Sequence, residues 1–449
     1  LDPSTILDFL LADVIDDHTT YFEKIRSLPA GHRLTVNSRG ILVERYWRRP
    51  QIPSRVGSFG EAAREFGSLL ERAVRRRLRS AVPIACHLSG GLDSTGISFL
   101  ADAAYRKCGS RQPLTFLTAD YGQLPCDELQ YVRLMTPLLA FPDVRWDAMD
   151  TRWMDLDAPL PSQPLARGLW AGGSRGDVEF FHATGVGVLL SGIGGDELSH
   201  AEFALRDLGA SLSFGVLARE LLMMKAEGRT DCLRWLHVGL GGAIPEHVRF
   251  LRRRLRPKAT DPEPDWLGPA LRPLWNERRA HRPLDPRPSW AQADLWALLT
   301  SPQNTWFTGY YQRYYSEFGI EHRTPFHDRD LVEFVLSLPP AFRLRDGRAR
   351  ALEREALSRV LPQSVVFRPQ RLRTGFSSAR IAQARSGLDR IREVIAVKDF
   401  SAAPFVDQRA ALALLARVES SDLPDGQAKW RPWWTLQSIA ALECWLRLQ

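Results

Sequence analysis

Residues Ile84–Gly96 read Ile-Ala-Cys-His-Leu-Ser-Gly-Gly-Leu-Asp-Ser-Thr-Gly, a short apolar run that meets a glycine pair and then, at once, a helical pattern. Ile97, Leu100, Ala101 and Ala104 recur at helical spacing, and Gly109 ends the pattern. The spacing predicts a strand, a tight turn and a helix. Gly90 and Gly91 let backbone N–H groups approach a ligand closely, and the start of the helix adds partial positive charge. Together they form a cradle for an anion of phosphate size. The common phosphate loop supplies a lysine to the terminal phosphates; this turn supplies an aspartate, Asp93. A carboxylate beside a phosphate repels it unless a cation lies between them. Mg²⁺ binds through one or two carboxylates together with phosphates, which nominates Asp93 as a metal ligand.

A second stretch, Val186–Glu197, repeats the logic: an apolar run, a Ser191-Gly192 turn, more glycine, and the acids Asp196 and Glu197. On these residues the chain resembles a known family. Ser89-Gly90-Gly91-Leu92-Asp93-Ser94 resembles the pyrophosphate loop of ATP pyrophosphatases that activate a carboxylate as an acyl-adenylate. Ser191–Glu197 is similar to the asparagine-synthetase motif S-G-x-G-x-D-E. The relatives so indicated are the synthetase domains of asparagine synthetases, β-lactam synthetases and lasso peptide cyclases. The resemblance implies ATP and Mg²⁺, with Asp93 and Asp196 on the metal. It places Leu88, Ser89, Gly90, Gly91, Ser94, Ser191 and Gly192 at the nucleotide. It also nominates Leu117 and Thr118, at the end of the next strand, for adenine or ribose. A buried threonine making a local hydrogen bond explains Thr118 equally well. Glu197 either supports the metal site from behind or pairs locally.

With 449 residues, 44% hydrophobic and 25% charged, the chain is long enough for two or three domains with ordinary cores. No apolar run reaches the length of a membrane span, and no signal-peptide pattern is present. The sequence begins at Leu1 without a methionine and is expected to be a fragment. Cys86, Cys108, Cys126, Cys232 and Cys444 are scattered, with no C-x-x-C pair, which signals neither zinc nor a disulfide framework. A reducing cytoplasm fits this and the need for ATP. The net charge of +8 comes with basic clusters at 72–79 and 252–256. Apolar residues interrupt both, so solvated helix faces explain them better than nucleic acid, which is not expected as a partner.

In chain order, Ser4–Leu11 reads as a helix, and Arg33–Val36 with Ile41–Tyr46 as a hairpin turning at 37–40. Leu28-Pro29-Ala30-Gly31-His32 and the closing Tyr46-Trp47 resemble the tail of an asparagine-synthetase glutaminase domain. Residues 1–50 are therefore expected to be the remnant of a glutaminase-like β domain, and 51–449 the amide-forming domain. The catalytic cysteine of true glutaminases does not occur in this sequence. Phe59–Leu78 reads as a helix, Leu114–Thr118 as a strand, Asp127–Leu139 as a helix, and Arg145–Met149 and Val186–Leu190 as strands. That alternation predicts an α/β fold with a doubly wound parallel sheet. The resemblance makes it the ATP pyrophosphatase (adenine nucleotide α-hydrolase-like) type with extra helices. The aromatic tail Trp430–Gln449 is expected to pack on it.

The later motifs are weaker. Glu321-His322-Arg323-Thr324-Pro325-Phe326-His327-Asp328 resembles E-x-R-x-P-F-x-D, whose glutamate partners a tyrosine to deprotonate the attacking amine in β-lactam synthetases. Glu321 is thus a catalytic candidate, with a structural Glu321–Arg323 pair as the alternative. Arg350–Leu357 approximates the family's K-x-x-L-R-x-A, with Arg350 for the lysine and Glu353 for the leucine. The family's transition-state lysine in R-x-K-x-x-F has no counterpart; Arg373, then Arg371, would supply the cation, and solvated arginines are the alternative. Residues 155–176 lack a recognisable aspartate-binding stretch, and Leu198-Ser199-His200-Ala201 stands where the family has F-G-G-Y. A specialised ligase is therefore expected, first a lasso peptide cyclase acting on a peptide, with a leader peptidase and a leader-binding protein as partners. A glutamine-dependent asparagine synthetase acting on a small amino acid, or an inactive ATP-binding scaffold, are the alternatives.

Overall fold

The computed structural model describes residues 1–49, 56–109, 113–121, 128–147, 175–199, 201–227, 231–245, 247–248, 251, 262–281, 291–368, 387–420 and 431–449. After the helix Pro3–Leu11 comes an antiparallel hairpin of β1 (His32–Asn37) and β2 (Gly40–Arg45). Its register sets Leu34 opposite Val43 and Val36 opposite Ile41, an apolar face that remains exposed.

The centre of the molecule is a five-stranded sheet of β3 (Ile84–His87), β4 (Leu114–Asp120), β5 (Asp143–Asp147), β6 (Val188–Leu190) and β7 (Glu321–Arg323). The spatial order is β5-β4-β3-β6-β7, and every neighbouring pair is parallel. Ile84, Ala85 and Cys86 are fully buried, as a strand covered on both faces requires. After β3 the chain winds outward through β4 and β5, then returns to the other side of β3 for β6. The winding direction therefore reverses between β3 and β6, and ligands of such sheets bind beyond the carboxyl ends of the strands at that switch. β5 begins at Asp143, earlier than the Arg145 expected from the sequence, because Asp143 is already paired with Phe116 and its carboxylate meets Thr118.

The helix Phe59–Arg77 covers the sheet with Phe66, Leu69, Leu70 and Val74, and Ser58 with Glu61 forms a capping box at its start. Its basic side is spoken for: Arg72 and Arg76 pair with Asp330 at 3.1 and 3.0 Å, and Arg77 with Asp328 at 2.8 Å. The first basic cluster is thus a salt-bridged helix face; the second lies outside the described residues.

The tail corrects an expectation. The helix Arg431–Leu446 does not add to the sheet's core but centres a second one, with Ile6, Phe9, Leu271, Ile391 and Leu415 around it. Leu436, Ile439, Leu442 and Trp445 are buried, and so are Gln437, Ser438 and Glu443 on its other sides, so it is enclosed rather than laid on a surface. The helix Pro3–Leu11 forms one wall of that enclosure. No helix among the described residues is long and apolar enough to cross a membrane.

Candidate active site

β3 ends in the turn that carries the first motif. Gly90 has φ +78°, a region that side chains with a Cβ rarely enter, and a Cβ there would lie 2.9 Å from the Glu128 carbonyl oxygen. The turn is closed by two hydroxyls: Ser89 N donates to Ser94 Oγ at 3.2 Å, the two serine oxygens are 2.7 Å apart, and Gly91 N donates to Ser89 Oγ at 3.1 Å. Gly91 caps the helix Leu92–Cys108, and no side chain takes the cap hydrogen bond. The start of the helix therefore faces the crevice with its amide dipoles uncovered by a cap.

β6 ends in the second turn, which is pressed against the first. A Cβ on Gly192 would lie 2.6 Å from Ser94 N, and one on Gly195 would lie 2.3 Å from Asp93 Oδ1. Only glycine permits this approach. It brings Asp196, on the short helix Gly195–Leu198, toward Asp93, which opens the long helix. Ser191 is buried and its Oγ meets His322 Nε2 at 2.7 Å, tying β6 to β7. Burial, then His87 and His327, push the pKa of His322 down to about 3, so the ring is neutral.

The two aspartates converge on one guanidinium. Arg350 Nη1 donates to both oxygens of Asp93 at 2.8 Å, and Arg350 Nη2 contacts Asp196 Oδ1. Burial opposes the charge of Arg350, but the Asp93 carboxylate, followed by Glu353, raises its pKa above the ordinary value. Arg350 has φ +61°, a left-handed conformation that costs a side-chain-bearing residue roughly 1–2 kcal/mol. Glu353 is fully buried one helical turn on, and Ser199 Oγ donates to its Oε2 at 3.4 Å. Burial and the facing Asp93 raise its pKa well above the usual carboxylate range.

Two carboxylates from separate turns that reach the same cation are a donor set for a divalent ion, which takes oxygen ligands. In the structure the pair gathers around the positive charge of Arg350.

The remaining candidates divide. Leu88 and Leu117 are buried, and Leu88 N donates to the Leu117 carbonyl at 2.9 Å. Thr118 Oγ1 lies 2.9 Å from the Leu88 carbonyl oxygen and 2.6 Å from Asp143 Oδ1, which is the local bonding that competes with a ligand role. Glu321 is not brought to the aspartates. It enters β7 level with Val188, below the turn at Ser191, and its carboxylate takes Arg323 Nε at 2.9 Å and Nη2 at 2.6 Å. That pairing lowers its pKa. Arg323 also donates to the Arg77 and Arg79 carbonyls at 2.6 and 2.9 Å, closing the end of the helix Phe59–Arg77. Arg371, Arg373 and the stretch at 155–174 lie outside the described residues. Arg368, just before those arginines in sequence, donates to the Gly90 carbonyl at 3.0 Å and pairs with Glu128 at 2.8 Å.

Sequence reasoning passed over Arg350, Glu353 and His322 as site residues. Glu353 carried a signal: a charged residue at an apolar position of a motif. Arg350 carried only its place in that motif.

Residues 65–447 match the asparagine synthase family, a span that contains both turns, Arg350 and most of the second core. The chain is 24% identical over 370 residues to asparagine synthetase [glutamine-hydrolyzing] 3 of Bacillus subtilis (strain 168), an alignment that takes in 78% of this chain and 54% of that protein. The chain thus spans about half the length of the curated relative it matches. With its family match covering both motif turns and the elements that carry them, the chain belongs to the asparagine synthase family.

Proposed function

We propose that the protein joins a carboxylate to an amine at the expense of ATP, through an acyl-adenylate, releasing AMP and pyrophosphate. The observation that supports it is the convergence of Asp93 and Asp196 over an uncapped helix start at the switch of a parallel sheet. The amides of the turn 89–94 would hold the pyrophosphate portion of ATP, with the Ser89–Ser94 hydroxyl pair fixing their direction. Asp93 and Asp196 would hold Mg²⁺, which supplies charge neutralisation at the leaving pyrophosphate. Arg373, with Arg371 second, would add the transition-state cation that the family takes from lysine. Glu321, paired with Arg323 at the start of β7 and not brought to the aspartates, is not assigned the proton of the attacking amine.

Within this class the proposed product is a macrolactam: the N-terminal amine of a leaderless peptide joined to an internal Asp or Glu, as in lasso peptide formation. A leader peptidase and a leader-binding protein would supply the substrate. The absence of F-G-G-Y at 198–201 supports a substrate other than free aspartate. A second reading, asparagine formation, is favoured by the 24% match to an asparagine synthetase. The deciding experiment supplies ATP and Mg²⁺ with either a leaderless peptide carrying an internal acid, or aspartate and ammonia. Peptide that loses the mass of one water, with AMP as co-product, supports the cyclase; robust asparagine overturns it. ADP and phosphate as products overturn the whole assignment, and no turnover of ATP with either substrate leaves the inactive scaffold.

A further inference from the structure

We propose that Arg350 is a built-in counter-ion of the two-aspartate site, one that a divalent cation displaces only when it arrives with nucleotide. This rests on the reading of Asp93 and Asp196 as metal ligands. The guanidinium occupies both oxygens of Asp93 and reaches Asp196, so it takes the same lone pairs that a metal would use. Guanidinium and carboxylate match in shape as well as charge, which lysine would not reproduce.

Three features show that this position is built rather than incidental. Arg350 is largely enclosed, with a side chain 17% exposed, so the pair is little screened by water. Its backbone is held at φ +61°, at the end of the tight hairpin of β8 (Leu344–Arg345) and β9 (Arg348–Ala349), where it heads the helix Ala351–Leu357. That helix is held independently by Arg354, whose Nε donates to the Ala349 carbonyl at 3.0 Å and whose Nη1 donates to the Val366 carbonyl. Removing the guanidinium would leave the two aspartates facing each other with no positive charge between them.

Consequences follow from charge. With Arg350 in place, the two aspartates carry one uncompensated charge, too little to strip water from Mg²⁺, which dehydrates reluctantly. The triphosphate of ATP brings the additional negative charge that draws the metal in. The displaced guanidinium, with its five donors, then faces the same phosphates and serves as a phosphate ligand. Arg350 therefore couples metal binding to nucleotide binding and keeps the site from loading metal alone.

The test uses Mn²⁺, read by electron paramagnetic resonance and by the melting temperature, on the full chain with and without a non-hydrolysable ATP analogue. The wild type is expected to hold Mn²⁺ weakly until the analogue is added. Arg350→Gln is expected to bind Mn²⁺ alone at least tenfold more tightly, and its melting temperature should rise with Mn²⁺ where that of the wild type does not. Arg350→Lys, which keeps the charge without the fork, should fall between them. Equal Mn²⁺ affinity in wild type and Arg350→Gln, while Asp93→Asn weakens it, overturns the counter-ion role and leaves the metal site standing. If Asp93→Asn and Asp196→Asn change Mn²⁺ binding in neither background, the metal-site reading itself fails, and the counter-ion proposal with it.

Discussion

The two turns that meet at the crevice are built by different means. The turn 89–94 makes itself: two serine hydroxyls tie its ends together, and a 17-residue helix follows whose first residues include Asp93. The turn 191–196 leans on its neighbours. Its helix has four residues, and glycines press it onto the first turn while Ser191 is held from β7. The same asymmetry runs through the acids. The side chain of Asp93 is 17% exposed and clamped by both its oxygens; that of Asp196 is 65% exposed and held through one. One turn is a local structure that positions its own acid. The other is a product of packing, and its acid is in place because the tertiary structure puts it there.

Substitutions of the aspartates give the largest contrast. Asp93→Ala and Asp196→Ala should each lower AMP-forming turnover by about a thousandfold or more, as loss of a metal ligand at a charged leaving group does. Their stabilities should diverge. Asp93→Ala leaves Arg350 buried with its main partner gone and should cost about 3 kcal/mol in urea unfolding, whereas Asp196→Ala should cost less than about 1 kcal/mol. Equal losses of stability would erase the distinction between the turns.

The next effect comes from the segment that follows Arg368. Arg373→Ala should reduce turnover by about a hundredfold, as removal of a preorganised transition-state donor does, and Arg371→Ala by much less. The reverse order in steady-state kinetics would reassign the cation.

Gly195→Ala probes the turn made by packing. A Cβ 2.3 Å from Asp93 Oδ1 must push the two turns apart. Turnover should fall by about tenfold or more, since small misplacements of reacting groups are costly, with KM for ATP rising as well. Ser94→Ala probes the turn that makes itself. It removes the acceptor of Ser89 N, and the cost should be about 1 kcal/mol of stability with a loss of activity of only a few-fold. A larger loss of activity in Ser94→Ala than in Gly195→Ala would invert the comparison.

A final effect is on the pH dependence of stability rather than on turnover. His322, which holds Ser191, has its pKa lowered from 6.5 to about 3 in the folded protein. The unfolded chain therefore takes up a proton that the folded chain refuses, and stability falls as pH drops below about 6.5, by up to ~1.4 kcal/mol per pH unit from this residue. His322→Gln should flatten the pH dependence of the urea midpoint between about pH 4 and 6.5. An unchanged slope would place the acid sensitivity elsewhere.

The local half of this architecture was legible in the sequence because it is set by local rules. An apolar run, glycines and a helical repeat specify a strand, turn and helix wherever they occur, so the turn at 89–94, the second turn and the strands and helices around the first could be read from residue order. The acids stood out because a carboxylate in an anion cradle needs an explanation. The resemblance carried by the two motifs then led to the family that the match over residues 65–447 establishes.

Tertiary structure decided what depends on elements far apart in the chain. That Glu321 enters β7 level with Val188 and pairs with Arg323 follows from strand register, which one sequence does not reveal. That the tail centres a second core with Pro3–Leu11 follows from which apolar surfaces find each other when both ends of the chain come together. Arg350 is the plainest case. Among 60 lysines and arginines its side chain looks like any other. Only the folding of three distant segments, which sets two like charges within reach of one guanidinium, turns it into the centre of the site. Sequence order specifies the residue types and the local turns; the energy of a buried charge depends on what surrounds it, and the tertiary fold supplies those surroundings.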